Sequence, residues 1–117
     1  FIEYLNFVEK KDDNNNKLKG LYALAESYTY LSKSDSANIY INRGVKLSLN
    51  EAEGLYYSDF LLTSGINNFF INNFSRSIDS LAKAKNIYLI EKESRESTRI
   101  AICNYFIGKS FFKLNKK

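Results

Sequence analysis

The chain of 117 residues contains no proline, histidine, methionine or tryptophan, and it has a single cysteine. Without histidine, and with one cysteine, it lacks a ligand set for zinc and the commonest general base of enzymes. Cys103 has no partner for an internal disulfide, and its neighbours Ile102 and Ile107 indicate a buried thiol. No apolar run approaches the roughly 18–20 residues that span a bilayer. These absences favour a cytoplasmic protein with no membrane span, no metal and no cofactor.

The lack of proline also favours long, uninterrupted helices, and the spacing of apolar residues agrees. Between 18 and 31 they recur at steps of three and four, the period of one helix face. Similar stripes predict further helices, and polar breaks separate them. The expected helices cover 18–31, 36–49, 51–71, 74–92 and 97–114, and Phe1, Leu5 and Val8 look like the end of another.

The breaks between these segments alternate in length, which predicts pairs of antiparallel helices. Tight turns are expected near 32–35 and 72–74, whereas 10–17 is expected to be a polar connector. Ser34 or Asp35 is predicted to cap the second helix of the first pair, and Asn50 to cap the helix that follows. The sequence therefore predicts an all-α fold of helical hairpins.

Two of these pairs repeat one residue pattern. The first copy is Leu21-x-x-Leu24-Ala25-x-x-Tyr28, followed after nine residues by Ala37-x-x-x-Ile41-x-x-Gly44. The second is Leu61-x-x-Ser64-Gly65-x-x-Asn68, followed after nine residues by Ser77-x-x-x-Leu81-x-x-Ala84. A third copy begins at Ile107-Gly108-x-x-Phe111. Small residues such as Ala25, Gly65 and Gly108 are expected where two helix backbones cross, with large residues such as Leu81 filling the remaining space.

This pattern resembles the tetratricopeptide repeat, in its long bacterial form of about 40 residues. The resemblance implies a right-handed α-solenoid of stacked hairpins over the whole chain. It gives the end of one repeat at 1–10, repeat one at 18–49, repeat two at 51–92 and the first helix of repeat three at 97–114. Because the chain begins with Phe1, we expect it to be a fragment of a longer protein.

The resemblance also implies a concave surface, lined by the first helix of each hairpin, that binds a protein or peptide. No residue is assigned a catalytic role. The basic carboxylate-binding clamp of the family is not expected, because the matching positions are not basic. The expected partner-binding residues are Tyr22, Glu26, Tyr30, Leu62, Ile66, Phe69, Phe70, Tyr105, Lys109 and Phe112.

The sequence leaves other interpretations open. An irregular helical bundle would share the same periodicity. The chain could be the sensory region of a transcription regulator whose helix-turn-helix lies elsewhere, or part of a signalling protein. The net charge of +4 is scattered, so direct nucleic-acid binding through Lys113, Lys116 and Lys117 is not expected. Homodimerisation through exposed ends such as Phe111 and Phe112 is a further expectation, and a helical enzyme is the least favoured reading.

Overall fold

A computed structural model describes residues 14–49, 55–90 and 96–115, and every regular element in these ranges is an α-helix. The prediction of an all-α fold is therefore confirmed for the described part of the chain. The expected helix at 1–10 and the expected cap at Asn50 lie outside it. The helices are α1 (Asn14–Tyr30), α2 (Ser34–Ser48), α3 (Leu55–Phe70), α4 (Phe74–Ile90) and α5 (Glu96–Asn115).

The helices pack in chain order. Each helix contacts the next one along the chain, and α3 also packs against α1 and α5. In the described ranges α2 and α4 make no packing contact with each other, because α3 lies between them. The central helix α3 thus touches all four others.

Two three-residue turns join α1 to α2 and α3 to α4 with the same geometry. Ser32 has φ 61° and Asn72 has φ 65°, both in the left-handed region. The amide after each donates back into the preceding helix, from Lys33 N to Tyr28 O at 2.9 Å and from Asn73 N to Asn68 O at 2.8 Å. These are Schellman turns, in which backbone amides donate hydrogen bonds to the last carbonyl groups of the helix while the chain reverses direction. Both tight turns were predicted, and they are 40 residues apart.

Two buried glycines mark close helix crossings. A Cβ on Gly65 would lie 2.5 Å from Leu81 Cγ, so α3 and α4 approach too closely for a side chain there. A Cβ on Gly44 would overlap the ring of Phe60, which α3 inserts against α2. The predicted role of Gly65 is therefore confirmed. Gly108 was given the same role wrongly, because a Cβ on it would meet nothing within 4 Å.

The core has two neighbouring apolar clusters joined along α3. Phe60 completes the first with residues of α1 and α2, among them Leu18, Ala25 and Ile41. The second joins α3, α4 and α5 through Leu81, Ala84 and Cys103, among others. The buried thiol of Cys103 was predicted. Burial raises the pKa of this thiol to about 11.

Buried hydroxyls connect the three helices of the second cluster. Ser77 Oγ donates to the carbonyl oxygen of Gly65 at 2.7 Å, and Ser110 Oγ lies 3.4 Å from Ser77 Oγ. Ser77 therefore lies where α3, α4 and α5 meet, and a small residue at this position was expected.

Two predictions about helix ends were wrong. The polar stretch 10–17 is not wholly a connector, because α1 begins at Asn14. Neither Ser34 nor Asp35 is the N-cap of α2. That position belongs to Lys33, which forms no side-chain capping bond because its ammonium group has no acceptor for the first amides of the helix. The helix begins directly after the Schellman turn, at Ser34. Among the described residues, no helix is both long and apolar enough to cross a membrane.

Candidate functional site

Five aromatic rings from α1, α3 and α5 form a continuous surface that we call the aromatic face. It starts on α1, where the Tyr30 ring lies 6.0 Å from that of Phe70, and crosses α3 to Phe106, 5.2 Å from Phe69. It ends on α5, where the Tyr105 and Phe106 rings are 5.0 Å apart at 85°. Edge-to-face contacts of this kind stabilise aromatic clusters beyond the area that they bury. The aromatic face consists of Tyr30, Phe69, Phe70, Tyr105 and Phe106.

The aromatic face is only partly covered by the rest of the protein. Tyr30 and Tyr105, at its two ends, are 55% and 57% exposed, and Phe70 between them is 39% exposed. Phe69 and Phe106 are half-buried and support the exposed rings from below. Aromatic side chains with this combination of rigidity and exposure are typical of protein-binding surfaces.

The two ends of the aromatic face carry charges of opposite sign, a carboxylate at the α1 end and an ammonium group at the α5 end. At the α1 end, Glu26 is one helical turn before Tyr30, and its carboxylate accepts a hydrogen bond of 3.0 Å from the Tyr22 hydroxyl. At the α5 end, Lys109 Nζ lies 5.5 Å above the centre of the Tyr105 ring. Burial, followed by the charge of Glu26, raises the pKa of Tyr30.

Of the ten residues predicted to line a binding surface, five come together here with Phe106. They are Glu26, Tyr30, Phe69, Phe70 and Tyr105, and Lys109 adjoins them. Phe112 is 64% exposed and follows Tyr105 by seven residues, so it lies on the same side of α5.

Leu62 and Ile66 do not line this surface, contrary to the prediction. Their exposed fractions are 3% and 4%, and both belong to the core cluster that holds Leu81 and Cys103. The reason is the position of α3, which has helices on most of its sides. Helical spacing alone could not distinguish its open side from its covered ones.

Tyr22 is half-buried and belongs to a polar network inside the protein as well as to the surface. Its hydroxyl accepts a hydrogen bond from Arg99 Nη1 at 3.5 Å, and the same nitrogen lies 3.4 Å from Asp59 Oδ1. The buried hydroxyl of Tyr88 donates to Asp59 Oδ1 at 2.5 Å. The network joins α1, α3, α4 and α5, so it orients Tyr22 and, through it, Glu26.

Burial raises the pKa of Tyr22 to about 12, against the opposing effect of the hydrogen bond from Arg99. Burial and the charge of Asp59 also raise the pKa of Tyr88. Both phenols therefore stay protonated at neutral pH and act as hydrogen-bond donors to carboxylates.

Phe106 was not predicted as a site residue, although its ring contacts three members of the aromatic face. The signal in the sequence was the neighbouring pair Tyr105–Phe106, which matches the pair Phe69–Phe70 on α3. In each pair one ring is exposed and the other is half-buried.

Nothing in the described ranges gathers three or more histidine, cysteine, aspartate or glutamate side chains at metal-binding distance. No family model matches the chain, and no significant similarity to a curated protein or a solved structure was found. Arguments about its function therefore depend on its own residues.

Proposed function

We propose that the protein is a non-catalytic scaffold that binds a protein or peptide through the aromatic face. The observation that carries this proposal is the continuity of the five rings across three helices, with the most exposed rings at the two ends. Exposed aromatic residues on a preformed surface can bury a large area while losing little side-chain entropy.

We further propose that the helices are stacked as a solenoid similar to the tetratricopeptide repeat. Three features support this. The helices pack in chain order, the two Schellman turns recur 40 residues apart, and small residues lie at the crossings of α2 with α3 and of α3 with α4. In such a stack α1, α3 and α5 are the first helices of their hairpins, and these are the helices that carry the aromatic face.

The charges at the two ends of the aromatic face specify what kind of segment would bind. Its middle is apolar, so the segment needs large apolar side chains there. Glu26 favours a basic residue at the α1 end, and Lys109 favours an acidic residue at the α5 end. A partner segment with this polarity would be fixed in direction as well as in position.

Selection from a random peptide display library on the immobilised protein tests the proposal. Enriched peptides should contain aromatic or aliphatic residues and should bind Tyr30→Ala and Tyr105→Ala at least about tenfold more weakly, as expected when an exposed aromatic anchor of an interface is truncated. Ile39→Ala is the matched control, because Ile39 on α2 is 57% exposed, like Tyr105, but lies outside the aromatic face.

Two results would contradict the proposal. One is the absence of any enrichment above that on an unrelated helical protein. The other is equal binding of the enriched peptides to the wild type and to both tyrosine variants. In addition, the charge reversal Lys109→Glu should weaken the binding of those selected peptides that carry an acidic residue at one end.

A further inference from the structure

A polar cavity of about 400 Å³ lies between α2, α3 and the first half of α4. Its walls carry asparagine and serine side chains and one charge of each sign, and the only large apolar side chain on them is Ile71. We call it the amide pocket. The side chains used below are Asn38, Asn42, Ser64, Asn68, Arg76 and Asp79.

The amide pocket is distinct from the aromatic face. Ser64 and Asn68 are four residues apart, so they share one side of α3. Phe70 follows Asn68 by only two residues and therefore projects from a different side of the helix. A ligand in the pocket would not contact the exposed rings.

Two of the asparagine side chains are held by hydrogen bonds that leave defined groups for a ligand. Asn68 Nδ2 donates to the Ser64 carbonyl oxygen at 2.9 Å, so its own amide oxygen remains as an acceptor. Asn38 Oδ1 accepts a bond of 3.0 Å from Asn67 Nδ2, so the Asn38 amide nitrogen remains as a donor. Asn67 is itself buried, which fixes Asn38 in place.

The two charges of the pocket have no partner among the described residues. Arg76 and Asp79 are three residues apart on α4, so they occupy one face of that helix. Both are exposed, and no ion pair joins them to each other or to a neighbour in the described ranges. The pocket thus offers a cation, an anion, a fixed amide donor and a fixed amide acceptor.

We propose that the amide pocket binds a free α-amino acid with a polar side chain. Arg76 would bind the α-carboxylate, Asp79 would bind the α-ammonium group, and the carboxamides of Asn38 and Asn68 would pair with the ligand's side-chain amide. A carboxamide ligand fits best because it is both a donor and an acceptor, as the two fixed asparagines require.

The other common ligand classes fit the pocket less well. An apolar molecule would leave the amides without partners. The carboxylate of Asp79 opposes phosphate and other anions, and no aromatic side chain on the walls offers the stacking surface that a sugar ring would use. The volume is in the range of small-molecule sites.

Calorimetric titration of the whole chain with L-glutamine tests the proposal. Saturable binding is expected for L-glutamine, and at least tenfold weaker binding for L-leucine, which has the same backbone charges but no amide. N-acetyl-L-glutamine amide, which keeps the side chain but lacks both backbone charges, should also bind at least tenfold more weakly.

Substitutions assign the binding to the amide pocket. Arg76→Gln and Asp79→Asn should each weaken glutamine binding at least tenfold. Lys83→Gln is the matched control, because Lys83 is an exposed cation of the same helix outside the pocket. All three positions are exposed, so the circular dichroism spectrum and melting temperature should change little.

The proposal would be overturned if no saturable heat is measured at L-glutamine concentrations up to the millimolar range. It would also be overturned if all three variants bind L-glutamine as well as the wild type does. The outcome is separable from the test of the aromatic face. Tyr105→Ala should bind glutamine like the wild type, and Arg76→Gln should bind the selected peptides like the wild type.

Discussion

Three of the four glycines in the described helices differ in what faces them, although the sequence pattern treats two of the three alike. Gly44 faces the ring of Phe60 and Gly65 faces Leu81, whereas Gly108 faces open space. A glycine in the middle of a helix costs about 0.5–1 kcal/mol relative to alanine, and only a close contact offsets that cost. Gly44 and Gly65 have such a contact, and Gly108 has none in the described part of the chain.

We therefore expect alanine at these positions to have effects of opposite sign. Gly44→Ala and Gly65→Ala should lower the free energy of unfolding by roughly 1–3 kcal/mol through overpacking. Gly108→Ala should raise it by about 0.5–1 kcal/mol. Urea denaturation followed by circular dichroism measures all three, and destabilisation by Gly108→Ala as large as that by Gly65→Ala would show that another surface covers α5 in solution.

The phenol of Tyr22 provides a prediction about pH. Burial raises its pKa to about 12, above the value of about 10 for an exposed tyrosine. The unfolded chain therefore releases this proton at a lower pH than the folded chain does. The resulting stability is fully present below pH 10 and is lost as the pH rises through 12.

The free energy of unfolding should accordingly fall between pH 10 and 12. The slope is about 1.4 kcal/mol per pH unit for each phenol that remains protonated only in the folded state. Urea titrations at pH 8, 10 and 11 measure it. Tyr22→Phe should make the fall shallower, and an unchanged slope in this variant would exclude Tyr22 as a cause.

At the scale of the elements, the two Schellman turns carry different residues in the same left-handed conformation. Serine at 32 pays the steric penalty of an L-residue with positive φ, whereas asparagine at 72 tolerates that conformation better. Glycine has no such penalty and is the residue preferred at this position of the turn.

Ser32→Gly should consequently raise the free energy of unfolding, by up to about 1 kcal/mol, and Asn72→Gly should raise it by less. Thermal melts of the two variants side by side provide the comparison. The opposite order, with the larger gain at Asn72, would mean that side-chain contacts rather than backbone strain govern these turns.

The type and approximate extent of each described helix could be predicted, because apolar periodicity and turn residues act locally. The exact starts could not. α1 extends to Asn14 through polar residues that have no apolar period, and Lys33 precedes α2 because the Schellman turn of α1 sets the entry of the chain. Residues 32–35 contain both the turn that ends α1 and the residues expected to cap α2. The backbone hydrogen bonds of the turn decide where α2 begins, and the sequence alone does not show them.

For the whole molecule, the central position of α3 has consequences for stability. It packs against every other described helix and contributes to both core clusters, through Phe60 in one and Leu62 and Ile66 in the other. Because α3 packs against four helices, any local unfolding that exposes it must break at least two helix–helix interfaces.

Hydrogen exchange should therefore be slowest in the amides of α3 and faster in α5, which among the described helices packs mainly against α3 and α4. Exchange measured by NMR at neutral pH tests this order. Amides of α5 that exchange as slowly as those of α3 would indicate an additional contact on the exposed side of α5, as a homodimer would supply.

The sequence by itself determined the helices, the two tight turns and which side chains are apolar, because these depend on residues only a few positions apart. The tertiary structure decided which apolar side chains are open and which are covered. Leu62 and Phe70 have similar hydrophobic character, yet one is core and the other is on the aromatic face. It also decided that Gly108 is open and that Asn38 meets Asn67. Burial and pairing of this kind depend on helices far apart in the chain, so no local pattern records them.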